Sequence, residues 1–261
     1  MRTLLICHED STLDKEVLPR WLSSFSELTG LVLVNEPKTR RLDRIKREIR
    51  RSGVFRFLDV LAFRLYHRVR LARGERAWEA SERRRLVETY PAPDTDVPVL
   101  VTPSPNTDEA ESFIREARPD VVVARSRSLI DERIFTIPAT GTFVMHPGIT
   151  PEYRNSHGCF WALANRDLER VGMTLLKIDA GVDTGPVYGY FTYEFDERRE
   201  SHIIIQKRMV LENLDAVRDR LIATQRGEAE AIPTEGRSSA AWGQPRLSRY
   251  LRWKLAARRA G

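Results

Sequence analysis

The chain has 261 residues and a formal net charge of +6, from 43 Lys and Arg against 37 Asp and Glu. This length allows one large α/β domain or two small ones with a packed core. No stretch approaches the roughly 20 consecutive apolar residues that a membrane-spanning helix needs, so none is predicted. The only cysteines, Cys7 and Cys159, lie far apart and have no partner at metal-ligand spacing. We therefore expect a reduced, cytoplasmic protein without a metal site.

The first 34 residues show a β-α-β pattern. An apolar run over residues 3–7 predicts a buried strand, and Val17, Leu18, Trp21 and Leu22 recur at helical spacing before a second apolar run at 31–34. Such an opening favours a parallel sheet with right-handed crossovers. A Gly-x-Gly-x-x-Gly motif is missing at the first turn, so a dinucleotide site is not supported.

Residues 40 to about 90 interrupt this pattern with an Arg-rich segment. Apolar residues recur there near helical spacing, at Ile45, Ile49, Leu58, Leu61, Leu65 and Tyr66, which predicts one or two inserted amphipathic helices. Two interpretations stay open. The segment is a helical hairpin that lies on the domain or forms a homodimer contact, or it is a basic surface that docks on a membrane or a phosphorylated substrate.

The α/β pattern then resumes. Strands are predicted at 97–101, 121–124, 173–178 and 187–195, with a helix capped by Asn106 or Thr107 and a long helix over about 200–225. We expect an open, mostly parallel twisted sheet with helices on both faces over residues 1–226, and a basic C-terminal tail over 227–261. The tail ends in a short amphipathic piece, which either packs on the domain surface or binds an interface.

The stretch from Gly141 to Gly185 holds the best candidate active site. His146 precedes a Pro-Gly turn that ends a predicted strand, which places its imidazole at the carboxyl edge of the sheet. Asp183 lies in a glycine-rich loop after the next predicted strand, so the two strand ends bring a carboxylate and an imidazole together. A carboxylate near a histidine raises its pKa and fixes its tautomer, as general acid–base catalysis needs.

Several motifs of this stretch resemble the core signature of the 10-formyltetrahydrofolate-dependent formyltransferases, which act on glycinamide ribonucleotide, methionyl-tRNA or sugar nucleotides. They are His146-Pro147-Gly148-Ile149-Thr150-Pro151-x-Tyr153-Arg154, Gly158-x-x-Trp161-Ala162-Leu163, Gly172-Met173-Thr174 and Asp179-x-Gly181-x-Asp183-Thr184-Gly185-Pro186. The resemblance extends from the first strand to about residue 195, apart from the 40–90 insertion.

The resemblance implies the transfer of a formyl group from 10-formyltetrahydrofolate, as cosubstrate, to a primary amine of a small metabolite, for example an amino-sugar nucleotide. His146 and Asp183 match the catalytic histidine and aspartate. The residues that would line the folate pocket are Arg127, Ser128, Leu129, Ile130, Asp179, Gly181 and Val182. Fewer than about 40 residues follow the last predicted helix, which is too few for a tRNA-binding domain.

One catalytic position departs from the pattern, because the family's asparagine two residues before the histidine is Val144 here. Valine has no hydrogen-bond donor, and losing one oxyanion donor typically costs on the order of 10²–10³ in rate. Three outcomes stay open. Asn155, Ser156 or His157 supplies the donor; the pocket performs hydrolysis or another acyl or one-carbon transfer; or the protein is a catalytically inactive binding module.

Overall fold

A computed structural model describes residues 1–37 and 53–259 of the chain. Within them the strands form a seven-stranded sheet in the order β3-β2-β1-β4-β5-β6-β7. Strands β1 to β5 are parallel, and β6 and β7 are antiparallel to their neighbours, as expected for a mostly parallel sheet. The strands are Arg2–His8 (β1), Glu27–Val34 (β2), Val99–Thr102 (β3), Val121–Arg125 (β4), Gly141–His146 (β5), Met173–Lys177 (β6) and Val187–Phe191 (β7).

Helices cover both faces of the sheet. They are Thr12–Ser23 (α1), Val54–Tyr66 (α2), Ala72–Thr89 (α3), Asp108–Ala117 (α4), Glu132–Phe135 (α5), Gly158–Ala164 (α6), His202–Leu211 (α7), Leu214–Gln225 (α8) and Leu247–Arg259 (α9), with a π-helical turn at His67–Leu71 between α2 and α3. Thr107 is the residue that caps α4, since its Oγ1 accepts a hydrogen bond from the amide of Ala110.

Two apolar cores lie on opposite sides of the sheet because alternate residues of each strand face opposite ways. On one side Leu5 and Cys7 of β1 join the large core that α1, α6, α7 and α8 cover. On the other side Leu4 and Ile6 join a smaller core under α4 and α5. Continuous apolar strands such as β4 are buried on both faces for this reason.

The described part of the inserted segment is helical, as predicted, but its apolar residues do not share one buried face. Val60 and Phe63 of α2 are buried, whereas Leu58, Leu61 and Leu65 are exposed. Helical spacing reveals a helix and does not reveal which of its two apolar sides the core covers. The predictions for Ile45 and Ile49 fall outside the described residues.

The single helix predicted over 200–225 is wrong, because the structure has two. Helix α7 ends at Leu211 and α8 begins at Leu214. Asn213 lies at the junction, where its Nδ2 donates to the carbonyl of Met209 at 2.8 Å and so occupies an acceptor at the end of α7.

The C-terminal segment is part of the packed body. Helix α9 lies against α2 and α6, and its Tyr250 and Trp253 are buried in the larger core. The Trp253 indole donates to a carboxylate oxygen of Glu197 at 2.8 Å. None of the helices in the described ranges is long and apolar enough to cross a bilayer.

Replacing Trp253 tests whether α9 contributes to the stability of the whole chain. We expect Trp253→Ala to lower the free energy of unfolding by about 3–5 kcal/mol, since it empties a fully buried site. Leu255→Ala is the matched control on the same helix, where the side chain is exposed, and we expect a change within about 0.5 kcal/mol. Urea titrations give both values, and equal effects of the two changes would contradict the packing.

Candidate active site

A cavity of about 890 Å³ opens at the carboxyl edge of β4 and β5. This is the edge at which open α/β sheets bind ligands. The cavity lining includes every residue predicted from the sequence to be catalytic or to line the folate pocket: Arg127, Ser128, Leu129, Ile130, His146, Asp179, Gly181, Val182 and Asp183.

His146 is the last residue of β5 and is buried. Its Nε2 lies 2.9 Å from the carbonyl oxygen of Tyr153. A carbonyl can only accept, so Nε2 carries the proton and donates. The other ring nitrogen, Nδ1, faces Asp183 at 3.5 Å from Oδ1. Nδ1 is therefore the ring nitrogen without a proton in the neutral imidazole, and it is the one beside the carboxylate.

Asp183 reaches His146 by a route that the sequence did not predict. Strand β6 runs antiparallel to β5, so the end of β6 at Lys177 lies opposite Phe143 and away from His146. The loop 178–186 folds back toward His146, and its two ends meet where the Lys177 amide donates to the Pro186 carbonyl at 2.9 Å. The two side chains do come together, although not as two neighbouring strand ends.

The carboxylate of Asp179 holds this loop in shape. It accepts hydrogen bonds from the amide of Gly181 at 3.0 Å and from the hydroxyl of Thr184 at 2.8 Å. Asp183 itself has a φ of 52°, in the left-handed region that Asp tolerates better than most residues. The acid-glycine-acid pattern of the loop thus has separate roles, since Asp179 shapes the loop and Asp183 faces the histidine.

Backbone groups of the segment 153–155 hold both members of the pair. The Tyr153 carbonyl accepts from His146, and the amide of Asn155 donates to Asp183 Oδ2 at 2.7 Å. Two glycines let this segment approach so closely. A Cβ on Gly148 would lie 2.4 Å from the Tyr153 oxygen, and one on Gly158 would lie 2.6 Å from the same atom.

The C-terminal segment clamps residues 152–155 from outside. Trp242 stacks between the rings of Tyr153 and Trp161, with centroids 5.7 and 4.9 Å away. Its indole donates to the Glu152 carbonyl at 2.9 Å, and its own carbonyl accepts from Asn155 Nδ2 at 2.8 Å. A segment predicted as a tail therefore fixes the backbone that holds His146 and Asp183.

The loop after β4 is anchored to the first strand. The amide of Arg127 donates to His8 Nε2 at 2.9 Å, and the Arg127 guanidinium pairs with Asp10. The hydroxyl of Ser128 donates to Glu36. Leu129, in contrast, is largely exposed at the rim of the cavity. This loop thus presents both charged and apolar groups to the cavity.

Sequence reasoning missed part of the cavity wall. Glu79 of α3 and Gln206 and Lys207 of α7 also line it, and Lys207 Nζ pairs with Glu79 Oε2 at 2.6 Å. These residues are far apart in the sequence, and each lies among other charged residues of a helix. No local pattern distinguishes them, so only the packing of α3 against α7 reveals their position.

Val144 lies on the cavity side of β5, two residues before His146 and on the same face of the strand. The three alternative donors differ in position. Asn155 has its side-chain nitrogen bound to Trp242 and its oxygen bound to the amide of Ser156. Ser156 lines the cavity and is exposed. His157 is half-buried immediately before α6, with its Nδ1 shielded from solvent, and lies outside the cavity lining.

Comparisons with known proteins find formyltransferases both by sequence and by fold. The methionyl-tRNA formyltransferase of Thermotoga maritima is 30% identical over 130 residues, which are 47% of this chain and 41% of that protein. The sugar N-formyltransferase of a Shewanella species has a TM-score of 0.55 at 10% identity, over 98% of this chain and 87% of that chain. By sequence and by fold, this chain is similar to the formyltransferases. The likeness in sequence thus covers about half of the chain, and the likeness in fold covers nearly all of it.

The formyltransferase fold also matches phosphoribosylglycinamide formyltransferase from Anaplasma phagocytophilum, with a TM-score of 0.53 at 12% identity over 94% of this chain and 99% of that chain. At such identities the likeness shows the fold alone. No protein-family model matches the sequence. The chain spans less than half the length of the curated relatives that it matches.

The burial of His157 predicts a loss of stability in mild acid. Burial lowers the pKa of His157 from 6.5 to about 4. The unfolded chain therefore binds a proton near pH 6.5 while the folded protein does not, and acidification toward pH 4 favours unfolding. We expect this residue to remove about 2 kcal/mol from the free energy of unfolding between pH 7 and pH 5.

Urea titrations at the two pH values measure this loss, which we expect to shrink in His157→Gln. His67 offers a control of opposite sign, because the hydrogen bond that it donates to the Glu75 carboxylate raises its pKa. A histidine with a raised pKa stabilises the fold in acid, so His67→Gln should enlarge the loss. The same pH dependence in wild type and His157→Gln would contradict the assignment.

Proposed function

We propose that the protein transfers a formyl group from 10-formyltetrahydrofolate to a primary amine of a small metabolite. The observation that carries the proposal is the His146 and Asp183 pair at the edge of the cavity. One ring nitrogen of His146 is fixed as a donor to Tyr153, and the other faces the carboxylate. Such a pair can move a proton at Nδ1 while the ring orientation stays constant.

The residues around the pair fit a reduced folate. The cavity volume of about 890 Å³ lies within the range of roughly 300–1,000 Å³ found for ligand pockets. Apolar groups that suit a flat ring system line one part of it, namely Leu129, Ile130, Phe135 and Ile178. Backbone and carboxylate groups of the Asp179 to Asp183 loop supply polar partners beside them. When bound, the folate supplies the formyl carbon.

The chain's own groups would then handle the protons. Transfer forms a bond between the amine nitrogen and the formyl carbon and breaks the bond to the folate nitrogen. One proton leaves the amine and one reaches the folate nitrogen. His146 Nδ1 carries a proton in the charged ring and can donate to the oxygen that gains negative charge, and Asp183 stabilises that charged ring. The amide of Asn155 keeps the carboxylate in place.

A smaller hollow of about 330 Å³ adjoins the cavity and shares His8, Asp10 and Arg127 with it. Cations and carboxylates both line this hollow, including Lys15 and Glu36. Such a mixed lining suits a polar acceptor with hydroxyl, amine or phosphate groups. Amino-sugar nucleotides are therefore the first acceptors to test.

Formyl transfer is tested with the purified protein, 10-formyltetrahydrofolate and a panel of amino-sugar nucleotides and amino acids. We expect a formylated amine as product. His146→Gln and Asp183→Asn should each lower kcat by on the order of 10²–10⁴, the usual contribution of an acid–base group. Asp215→Asn changes an exposed carboxylate on α8 and serves as the control. No product from any amine, with no folate binding by calorimetry, would reject the proposal.

Val144 favours a second candidate, which is hydrolysis or another acyl or one-carbon transfer in the same cavity. With an apolar side chain at 144, a water molecule or a different acceptor would be activated by His146 as base. Release of free formate without any amine acceptor would identify this activity, since the leading proposal requires the amine.

Introducing a hydrogen-bond donor at position 144 tests whether its absence limits the rate of formyl transfer. If the reaction is formyl transfer with one donor missing, we expect Val144→Asn to raise kcat by up to on the order of 10². Val144→Ile keeps the position apolar and should give no gain. An unchanged or lower kcat in Val144→Asn would reject the explanation that formyl transfer here lacks one donor.

A further inference from the structure

Helix α2 carries an exposed apolar stripe, formed by Phe55, Leu58, Leu61 and Leu65 and continued by Val69 in the π-helical turn. Their exposed fractions range from 40% to 89%. At 100° per residue the four residues of α2 lie within about 120° of one another. The opposite side of the same helix packs against the core through Val60 and Phe63. A contiguous apolar surface of this kind marks an interaction site rather than scattered exposure.

Helix α2 is held rigidly against the body, so the stripe has a fixed direction. Phe63 packs on the rings of Phe160 and Tyr250, with centroids 5.9 and 5.3 Å away. Asp59 accepts a hydrogen bond from the amide of Ser248 at 2.9 Å. The stripe is therefore not the exposed side of a detached helix, and an ordered helix loses little further conformational entropy when a partner covers it.

The charge around the stripe is positive. Helix α2 and the turn after it contain Arg56, Arg64, Arg68 and Arg70, all exposed. Arg64 and Arg68 lie one helical turn from Leu61 and Leu65. Within the described ranges, none of the four arginines forms an ion pair with a carboxylate. The acidic residue of α2, Asp59, is already engaged by Ser248.

The neighbouring helix α9 has the same composition on its exposed side. Leu251 and Leu255 are 41% and 53% exposed, and Arg252, Arg258 and Arg259 are exposed as well. Its opposite side is buried through Tyr250, Trp253 and Ala257. Two adjacent helices thus combine a buried aromatic side with an exposed side of leucine and arginine.

We propose that the exposed apolar stripe of α2 and its flanking arginines bind the surface of an anionic lipid membrane. An apolar side with cations beside it is the pattern of helices that lie in the bilayer interface. A second copy of this chain fits less well. A symmetric contact would place two arginine-rich surfaces against each other, whereas anionic headgroups complement them.

Vesicle co-flotation with the full chain tests this proposal. The vesicles contain phosphatidylcholine alone or with about one third phosphatidylserine. We expect binding to the anionic vesicles, little binding to the neutral ones, and weaker binding as salt rises. The double change Leu58→Glu and Leu65→Glu should reduce the bound fraction at least tenfold, with an unchanged circular dichroism spectrum.

Two double variants that lose the same charge show whether vesicle binding depends on the arginines beside the stripe or only on the net charge of the protein. Arg64→Gln with Arg68→Gln should weaken binding by about fivefold per arginine. Arg220→Gln with Arg226→Gln, on and after α8, removes the same charge from exposed positions elsewhere and should have little effect. Absence of binding to anionic vesicles at low salt would overturn the proposal, and so would equal losses in the two arginine pairs.

Light scattering with the variant Leu58→Glu with Leu65→Glu tests whether a second copy of this chain covers the stripe. If wild type is a dimer that Leu58→Glu with Leu65→Glu converts to a monomer while vesicle binding persists, the stripe is a dimer contact and the proposal is wrong. We expect the oligomeric state to be the same in both proteins. Neither result depends on the formyl-transfer proposal, because the stripe lies outside the cavity lining.

Discussion

The candidate site depends on two backbone hydrogen bonds made by one short segment. The Tyr153 carbonyl accepts from His146, and the Asn155 amide donates to Asp183. A carbonyl and an amide have fixed polarity, so they determine which imidazole nitrogen is protonated and which carboxylate oxygen faces the ring. Side chains could move or titrate, whereas these backbone groups cannot. The chemistry at His146 Nδ1 follows from that constraint.

The rest of the fold keeps the 153–155 segment in place. Gly148 and Gly158 allow their backbones to meet beneath it, and Trp242 stacks on Tyr153 above it. Asn155 has a φ of 77°, a conformation that glycine and asparagine adopt most readily. Asparagine thus suits this backbone conformation and also links the segment to Trp242 through its side-chain nitrogen. A C-terminal segment about 90 residues downstream thereby stabilises the site.

The sequence revealed the chemistry of the site better than its geometry. Strands were predictable because their apolar runs are short and continuous, and His146 was predictable because a Pro-Gly turn follows it. The antiparallel direction of β6 was not, since an apolar run has no direction and the long segment 147–172 between β5 and β6 can connect either arrangement. The role of Trp242 was also hidden, because stacking between residues 153, 161 and 242 leaves no local pattern.

The inserted segment also shows that the sequence predicts an element better than its packing. Periodicity predicted helices correctly, yet α2 has apolar residues on two sides and the core covers only the side of Val60 and Phe63. Which side is buried depends on α6 and α9, which come from residues beyond 157. The protein thus has a cavity built around the motif residues His146 and Asp183, and an exposed stripe built from residues outside the motifs.

Backbone contacts fix the tautomer of His146. Nitrogen-15 NMR of histidine-labelled protein, with His146→Gln to assign the signals, measures it directly. We predict that Nε2 stays protonated when the ring is neutral and that Nδ1 shows the shift of an unprotonated nitrogen. A neutral ring with its proton on Nδ1 would contradict the account, because Nε2 could not then donate to Tyr153.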